Sequence, residues 1–124
     1  MIVWVQRIEN LALAALIALA FIMVGFSWWW LFALFLAFDL SALGYIKNVR
    51  VGAWWYNVVH NYTVPAVLGL GYGASVLWGN PVDFLGLLAG CWAFHVAVDR
   101  GLGYGLKLIT SFSDTHLGTI GKQS

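Results

Sequence analysis

The stretch "FLGLLAGCWAFHVAVDR", residues 84–100, is an apolar segment that ends with a histidine, an aspartate and an arginine. It belongs to a 124-residue chain in which 62% of the residues are hydrophobic and only 9% are charged. Soluble domains contain roughly 45–50% apolar residues, and the mean hydropathy of this chain is +0.85. The composition therefore predicts an integral membrane protein, and this stretch predicts a membrane helix with polar groups near one end.

Four apolar runs cover most of the chain, at about residues 3–25, 28–46, 51–78 and 82–102. Each run approaches or exceeds the roughly 20 residues that cross a hydrocarbon core as a helix. Backbone groups find no water partner in lipid, which favours helices over open strands. The sequence thus predicts an all-α fold, a single polytopic membrane domain built as a four-transmembrane-helix bundle, with a tail over residues 103–124. Pro65 interrupts the third run, so we expect a bend near Thr63 to Pro65.

The basic residues predict the orientation of the bundle. All six Lys and Arg residues lie near the N-terminus, in the second connection, or at and after the end of the fourth run. With four spans these places share one side of the membrane, which the positive-inside rule makes cytoplasmic. Both termini are therefore predicted to be cytoplasmic, in a multi-pass protein of the cell inner (plasma) membrane. The formal net charge of +1 provides no basic patch for nucleic acid.

Four of the ionisable side chains within the second, third and fourth apolar runs lie at similar distances from the predicted cytoplasmic ends. They are Asp39 in the second run, His60 in the third, and His95 and Asp99 in the fourth. The first three lie roughly 10 Å from those ends at 1.5 Å per residue, and the last two share a helix face because they are four residues apart. Such groups are costly within a membrane and usually have a partner. We therefore expect all four to meet in one pocket near the inner membrane face.

The residue types in this pocket suit a metal ion. Imidazole nitrogens and carboxylate oxygens are ligands for divalent zinc, manganese or iron. A cation would also supply the positive charge that buried carboxylates need. His116, in the tail string "SDTHLG", is a further candidate if the tail folds back over the cytoplasmic mouth of the bundle. For His116 alone, a solvated tail residue is an equal alternative.

A purely structural role for the same polar residues is the alternative interpretation. They would then be hydrogen-bonding contacts between helices, with Asp99 paired to Arg100 or Arg50, and Asp39 paired to Lys47. Arg100 itself either extends to the membrane surface or binds an anionic headgroup or substrate phosphate. The residues alone leave these alternatives open.

Four strings carry a resemblance to a known family: "FDLSALGY", "RVGAWWYNVVHNYTVP", "HVAVDRGLGYGLK" and "SDTHLG". They resemble a small bacterial membrane family known as a domain of unknown function, which implies the fold and not an activity. The chain is also distantly similar to bacterial inner-membrane proteins described as metal-dependent hydrolases, which spread aspartates and histidines over a helical bundle and contain an HxxxD pair. His95 and Asp99 match that pair. By this resemblance Asp39, His60 and His116 are the remaining ligands.

The favoured hypothesis is a metal-dependent hydrolase whose site opens to the cytoplasmic leaflet and acts on a lipid or lipid-linked phosphoester. The four intramembrane groups bind the metal, and His116 is a further ligand or the general acid. Arg100 holds the anionic group of the substrate, and Tyr56 or Tyr104 orients it.

Two alternatives belong to other functional classes. One is a non-enzymatic accessory subunit that packs against a larger membrane complex, or a homo-oligomer. The other is a haem- or pigment-binding bundle with His60 and His95 as axial ligands on adjacent helices.

Overall fold

The computed structural model of the chain describes residues 1–106 and 114–119. The predicted helical class is confirmed, since the only other regular structure in these ranges is one pair of two-residue antiparallel strands. The helical elements are α1 (Ile2–Met23), α2 (Trp29–Ala33), a 3-10 helix (Phe35–Ile46), α3 (Val49–Val59), α4 (Thr63–Leu77) and α5 (Asp83–Leu102). The strands are β1 (Asp114–Thr115) and β2 (Gly118–Thr119). The predicted tail, residues 103–124, is thus described only in part.

Two helical stretches are long and apolar enough to cross a membrane: α1, and the run from Trp29 to Ile46 that contains α2 and the 3-10 helix. Both have a mean hydropathy of 1.6, yet only 11% and 6% of their apolar windows are buried within the fold. The core helix of a soluble protein would be mostly buried, whereas these two direct large apolar side chains outward. At 1.5 Å per residue α1 is about 33 Å long, close to the roughly 30 Å of a hydrocarbon core. This exterior suits a lipid environment.

The central element of the fold is α5, which packs against both α1 and α4. Its buried positions include Cys91, Val96 and Ala97. Gly90 allows the Phe21 ring of α1 to lie directly against the α5 backbone, because a Cβ at this position would overlap that ring. The 3-10 helix packs mainly on α3 and also contacts α5. Four helical elements thus contact α5 directly, and α3 packs on the 3-10 helix.

The third apolar run forms two helices, because the chain breaks between α3 and α4. The side chain of Asn61 makes three hydrogen bonds at the break. Its Nδ2 donates to the carbonyl oxygens of Asn57 (2.5 Å) and Val58 (3.0 Å). Its Oδ1 accepts from the Thr63 N–H (2.8 Å). One side chain thus caps the end of α3 and the start of α4. Pro65 lies in the first turn of α4, where its missing N–H costs no helical hydrogen bond. The bend expected at Thr63 to Pro65 is found just before it, as a break.

The second apolar run continues from α2 into a 3-10 helix, in which every third side chain shares a face. One row faces the interior of the fold, and its members are Phe35, Phe38, Ser41 and Gly44. Another row is apolar and exposed, and its members are Ala37, Leu40, Leu43 and Ile46. Asp39 lies in the third row, between the other two. The 3-10 geometry therefore places a carboxylate at the boundary between the interior and the apolar surface.

Replacing Gly90 with alanine is expected to destabilise the fold, because the new methyl group would occupy the space of the Phe21 ring. Overpacking of this kind costs about 1–3 kcal/mol, and the higher helix propensity of alanine offsets up to about 1 kcal/mol of that. Gly73→Ala in α4 is the matched control, since nothing lies within 4 Å of a Cβ there. Thermal unfolding in detergent should show a lower Tm for Gly90→Ala alone. Equal Tm values would contradict the packing of α1 on α5.

Candidate metal centre

Four side chains from three elements converge on one point: Asp39 of the 3-10 helix, His60 at the end of α3, and His95 and Asp99 of α5. We call them the His/Asp cluster. Asp39 Oδ1 lies 3.1 Å from the Nε2 atoms of both histidines. Asp99 Oδ2 lies 3.4 Å from His60 Nε2 and 3.1 Å from His95 Nε2. The two Nε2 atoms are 3.1 Å apart, and one ligand atom from each member lies within 4.8 Å of the others. The groups that the sequence predicts to meet do lie together.

Hydrogen bonds among the members do not account for all of these contacts at once. The four atoms make five contacts of 3.1–3.4 Å, and an N–H carries one proton, which it can share between two acceptors. Ionised carboxylates only accept, so the protons must come from the two Nε2 atoms, which carry at most one each. If both are protonated, the contact between the two Nε2 atoms joins two donors. The four ligand atoms lie close enough together that they could hold one metal ion.

The imidazole of His60 is oriented by its own helix. Its Nδ1 lies 3.0 Å from the carbonyl oxygen of Tyr56 and 3.4 Å from Ser41 Oγ. Because a carbonyl only accepts, we assign the proton of the neutral ring to Nδ1, which leaves the Nε2 lone pair facing the cluster. The Tyr56 ring stacks on the imidazole, with centroids 3.7 Å apart and planes 2° apart. Tyr56 therefore orients His60, and the substrate contact predicted for it stays a prediction.

His95 and Asp99 project from one face of α5, one turn apart, as their spacing predicts. His95 is fully buried, and its ring centroid lies 4.2 Å from that of Phe35. Within the described part of the chain its Nδ1 has no hydrogen-bond partner. These two residues form the inner wall of the cluster.

Asp39 forms the open side of the cluster. Its side chain is 43% exposed, whereas those of the other three members are at most 11% exposed. The surface around it is apolar, because Leu36 and Leu40 on the same 3-10 helix are both strongly exposed. A molecule that reaches the cluster from this side therefore crosses an apolar surface.

No lysine or arginine in residues 1–106 or 114–119 lies within salt-bridge distance of the two carboxylates. The pairs considered from the sequence, Asp99 with Arg100 or Arg50 and Asp39 with Lys47, are therefore not formed. Carboxylate oxygens within 4.8 Å of each other repel by at least about 3 kcal/mol at an effective dielectric constant of 20, before the solvent screening at Asp39. The positive charge that this pair requires must come from the imidazoles or from a bound cation.

Arg100 forms a hydrogen bond with the backbone at the break between α3 and α4. Its Nη2 donates to the carbonyl oxygen of His60 (3.3 Å), and its guanidinium carbon lies 5.4 Å from the centre of the Tyr62 ring. That carbonyl needs a donor because α3 ends at this point. A role of Arg100 in holding a substrate phosphate stays a prediction.

His116 and Tyr104 lie outside the group of residues that can share one metal ion. His116 Nδ1 accepts from the Leu106 N–H (2.7 Å), and the backbone N–H of His116 donates to the Leu106 carbonyl oxygen (2.9 Å). The tail thus turns back onto the end of the α5 segment, but the Nδ1 lone pair is used within the tail. Tyr104 is exposed, and its backbone N–H donates to the Asp99 carbonyl oxygen (2.7 Å). The sequence led us to expect His116 as a further ligand. The structure instead places it outside the cluster.

Two side chains that support the cluster were missed in the sequence. Ser41 Oγ lies 3.4 Å from His60 Nδ1. Trp92 Nε1 donates to the carbonyl oxygen of Val59 (2.5 Å), the residue before His60. The signal for Trp92 is its position three residues before His95, which places both on one face of α5. In a chain with eight tryptophans, that spacing did not distinguish it from residues at the membrane interface.

Together these features define a class of protein: a small helical protein with two membrane-capable stretches and a cluster of two histidines and two aspartates. The chain belongs to the family described as Domain of unknown function (DUF4260), which it matches over residues 3–120. The match includes all members of the cluster and confirms the family resemblance seen in the sequence strings. Comparison with curated proteins and with solved structures finds no significant match. The chemistry must therefore be inferred from the geometry.

The docking of the tail is expected to weaken at acidic pH. Burial lowers the pKa of His116 below its ordinary value of 6.5, and the positive charge of Arg100 lowers it further. The docked state therefore binds fewer protons than the detached state, so docking is fully favoured above pH 6.5 and is lost as the pH falls below it. Hydrogen exchange of the Leu106 amide, corrected for its intrinsic rate, should accelerate on going from about pH 7 to about pH 5.5.

His116→Ala is the control for this measurement, since it removes both the acceptor and the titrating group. Its Leu106 amide should exchange rapidly at every pH. Protection of the wild-type amide that stays constant across the same range would contradict the assigned hydrogen bond.

Proposed function

We propose that this protein binds one divalent metal ion in the His/Asp cluster. The observation that carries the proposal is a set of five contacts of 3.1–3.4 Å, four between an imidazole nitrogen and a carboxylate oxygen and one between the two imidazole nitrogens. Ligand atoms roughly 2.0–2.2 Å from an ion are about 3.3 Å apart at the corners of a tetrahedron and about 3.0 Å apart at adjacent corners of an octahedron. The measured contacts fall in this range. The ligand set therefore suits zinc, manganese or iron.

A divalent ion also balances the charge of the site. The two ionised aspartates carry two negative charges, and the two neutral imidazoles add none. A hydrogen-bonded network without metal leaves these carboxylates close together, and it does not account for all of the contacts at once. Removal of charged groups from water is costly unless an opposite charge is near. For this reason we favour a metal centre over a purely structural network.

The open side at Asp39 supports a catalytic ion. Structural metal sites are closed, whereas catalytic sites keep a position for water or substrate. Four protein ligands leave two positions free on an octahedral ion, and the half-exposed Asp39 lies on the accessible side. A bound divalent ion lowers the pKa of its water and supplies a nucleophile near neutral pH. We therefore propose a metal-dependent hydrolase.

The surface beside Asp39 supports a lipid or lipid-linked phosphoester as the substrate class. The exposed row of the 3-10 helix there is entirely apolar. An amphiphile in the bilayer can bring its polar group to this opening without leaving the membrane. We also propose four membrane spans, with both termini and the cluster toward the cytoplasm, in the inner (plasma) membrane. The placement of all six basic residues supports this orientation.

The same geometry favours a single ion over a haem. Axial ligands approach haem iron from opposite faces of the porphyrin, whose plane must be free of side chains. Here the Nε2 atoms of His60 and His95 are 3.1 Å apart, and both aspartates contact both of them. These carboxylates occupy the space that the macrocycle requires.

Purified protein is expected to contain about one divalent ion per chain by elemental analysis, and removal of the ion by a chelator should lower its Tm. His60→Ala and His95→Ala should lose most of the metal, because each removes a ligand. His116→Ala should retain it, since this imidazole lies outside the cluster. A wild-type protein that is metal-free and equally stable with and without chelator would refute the metal centre. Stable co-purification of a larger partner with metal-free protein would favour the accessory-subunit alternative.

Metal-loaded protein is expected to hydrolyse phosphoester lipids in mixed micelles. It should hydrolyse water-soluble bis(p-nitrophenyl) phosphate at least about tenfold more slowly, because only the lipid has an apolar chain whose binding stabilises the transition state. Asp39→Asn should lower the micellar rate at least about tenfold by removing a charged ligand. Asp83→Asn is the matched control, since Asp83 is an exposed aspartate at the start of α5. Equal rates for the two substrates would contradict access from the bilayer. Loss of activity in both variants would show that the effect is not specific to the cluster.

A further inference from the structure

Helix α5 carries two further side chains that matter for the site, besides its two cluster members. Trp92 precedes His95 by three residues, and Arg100 directly follows Asp99. Because side chains three, four and seven residues apart lie along one side of a helix, Trp92, His95 and Asp99 form a single stripe. Trp92 and Arg100 donate hydrogen bonds to the break between α3 and α4.

Among the carbonyl groups that lose their helical partners at the break are those of Val59 and His60. In a continuous helix, the carbonyls of Val59 and His60 would accept from amides four residues later. Instead Trp92 Nε1 donates to Val59 O at 2.5 Å, and Arg100 Nη2 donates to His60 O at 3.3 Å. Unpaired carbonyls are costly in an apolar interior. The two donors from α5 therefore stabilise the chain in its broken form.

These two hydrogen bonds flank the backbone of a cluster member. The Val59 carbonyl belongs to the peptide before the Cα of His60, and the His60 carbonyl belongs to the peptide after it. His60 has φ −95° and ψ 40°, which is outside the helical region. Side chains of α5 thus bind the peptide groups on both sides of this Cα. These hydrogen bonds fix the backbone orientation of His60 and therefore the direction of its imidazole.

Trp92 also contacts the element that supplies Asp39. Its ring stacks on that of Phe38, with centroids 5.3 Å apart and planes 30° apart. Phe38 directly precedes Asp39 in the 3-10 helix. One indole therefore contacts both elements that bring ligands to α5 from outside.

We propose that Trp92 and Arg100 are positioning residues for the metal centre. Both hold His60 in place through the broken backbone, and Trp92 also holds Asp39 through Phe38. This inference rests on the proposed metal site and explains how a regular helix positions ligands from two irregular elements. Neither residue touches the metal in this scheme.

The test compares metal affinity in variants that remove single donors. Trp92→Phe keeps an aromatic ring and removes the indole N–H, and Arg100→Met keeps the length and removes the guanidinium. Each should weaken zinc affinity about 10–100-fold in competition with a chelator, as is typical for residues behind a metal ligand. Arg100→Lys, which retains a donor, should recover part of the loss. Binding of cobalt(II) should show altered visible absorption in the two weakened variants, because the ligand geometry changes.

The controls are Trp78→Phe and Arg50→Met, which change exposed residues of the same types. Both should bind zinc as the wild type does. Wild-type affinity and an unchanged cobalt spectrum in Trp92→Phe and Arg100→Met would overturn the proposal. Equal weakening in the control variants would also overturn it, since the effect would not depend on the break.

A measurement without metal separates this inference from the proposed function. If the wild type binds no metal, the proposed function fails, and nitrogen NMR of the histidines then tests positioning alone. We expect the Nδ1–H tautomer for His60 in the wild type. In the double variant Trp92→Phe, Arg100→Met this signal should change to a mixture of tautomers, while it should persist in the double control. An unchanged His60 signal would overturn the proposal.

Discussion

The structure depends on one constraint, the close approach of four polar atoms inside an apolar fold. Two carboxylate oxygens and two imidazole nitrogens make five contacts of 3.1–3.4 Å. With both Nε2 atoms unprotonated and both carboxylates ionised, these atoms would repel one another through their lone pairs, and even two Nε2 protons would not turn the contact between the nitrogens into a hydrogen bond. Burial within an apolar fold strengthens this repulsion, because the effective dielectric constant is lower than in water. The divalent cation that we propose at their centre would offset this repulsion. Such a site must also be held together by the surrounding fold.

The irregular elements of the fold bring two members of the His/Asp cluster to α5. Asp39 comes from a 3-10 helix and His60 from the end of α3, where the chain breaks, whereas His95 and Asp99 come from a regular helix. Irregular backbone leaves polar groups unpaired, and in an apolar environment another element must satisfy them. α5 does so at the break with the side chains of Trp92 and Arg100. The same helix thus supplies two cluster members and supports the backbone next to a third.

The apolar exterior and the charged cluster require opposite environments. Large apolar side chains face outward over most of α1 and the 3-10 helix, which is favourable in a lipid-like solvent or against a partner protein. The charged groups of the cluster are shielded from that solvent except at Asp39. The 3-10 periodicity resolves the conflict, because it separates an inward row and an outward row and leaves the carboxylate between them.

The sequence by itself determined the helical class and the members of the cluster. Long apolar runs leave few alternatives to helices, and so few ionisable groups lie within them that counting their depth was enough to group them. Only the tertiary structure decided where the third run breaks, that the second becomes a 3-10 helix, and that His116 bonds to Leu106 and not to the cluster. It also decided the partners of Trp92 and Arg100. These features depend on which backbone groups lose their local hydrogen bonds and which distant donor lies within reach, and neither is encoded in residue type or spacing along the chain.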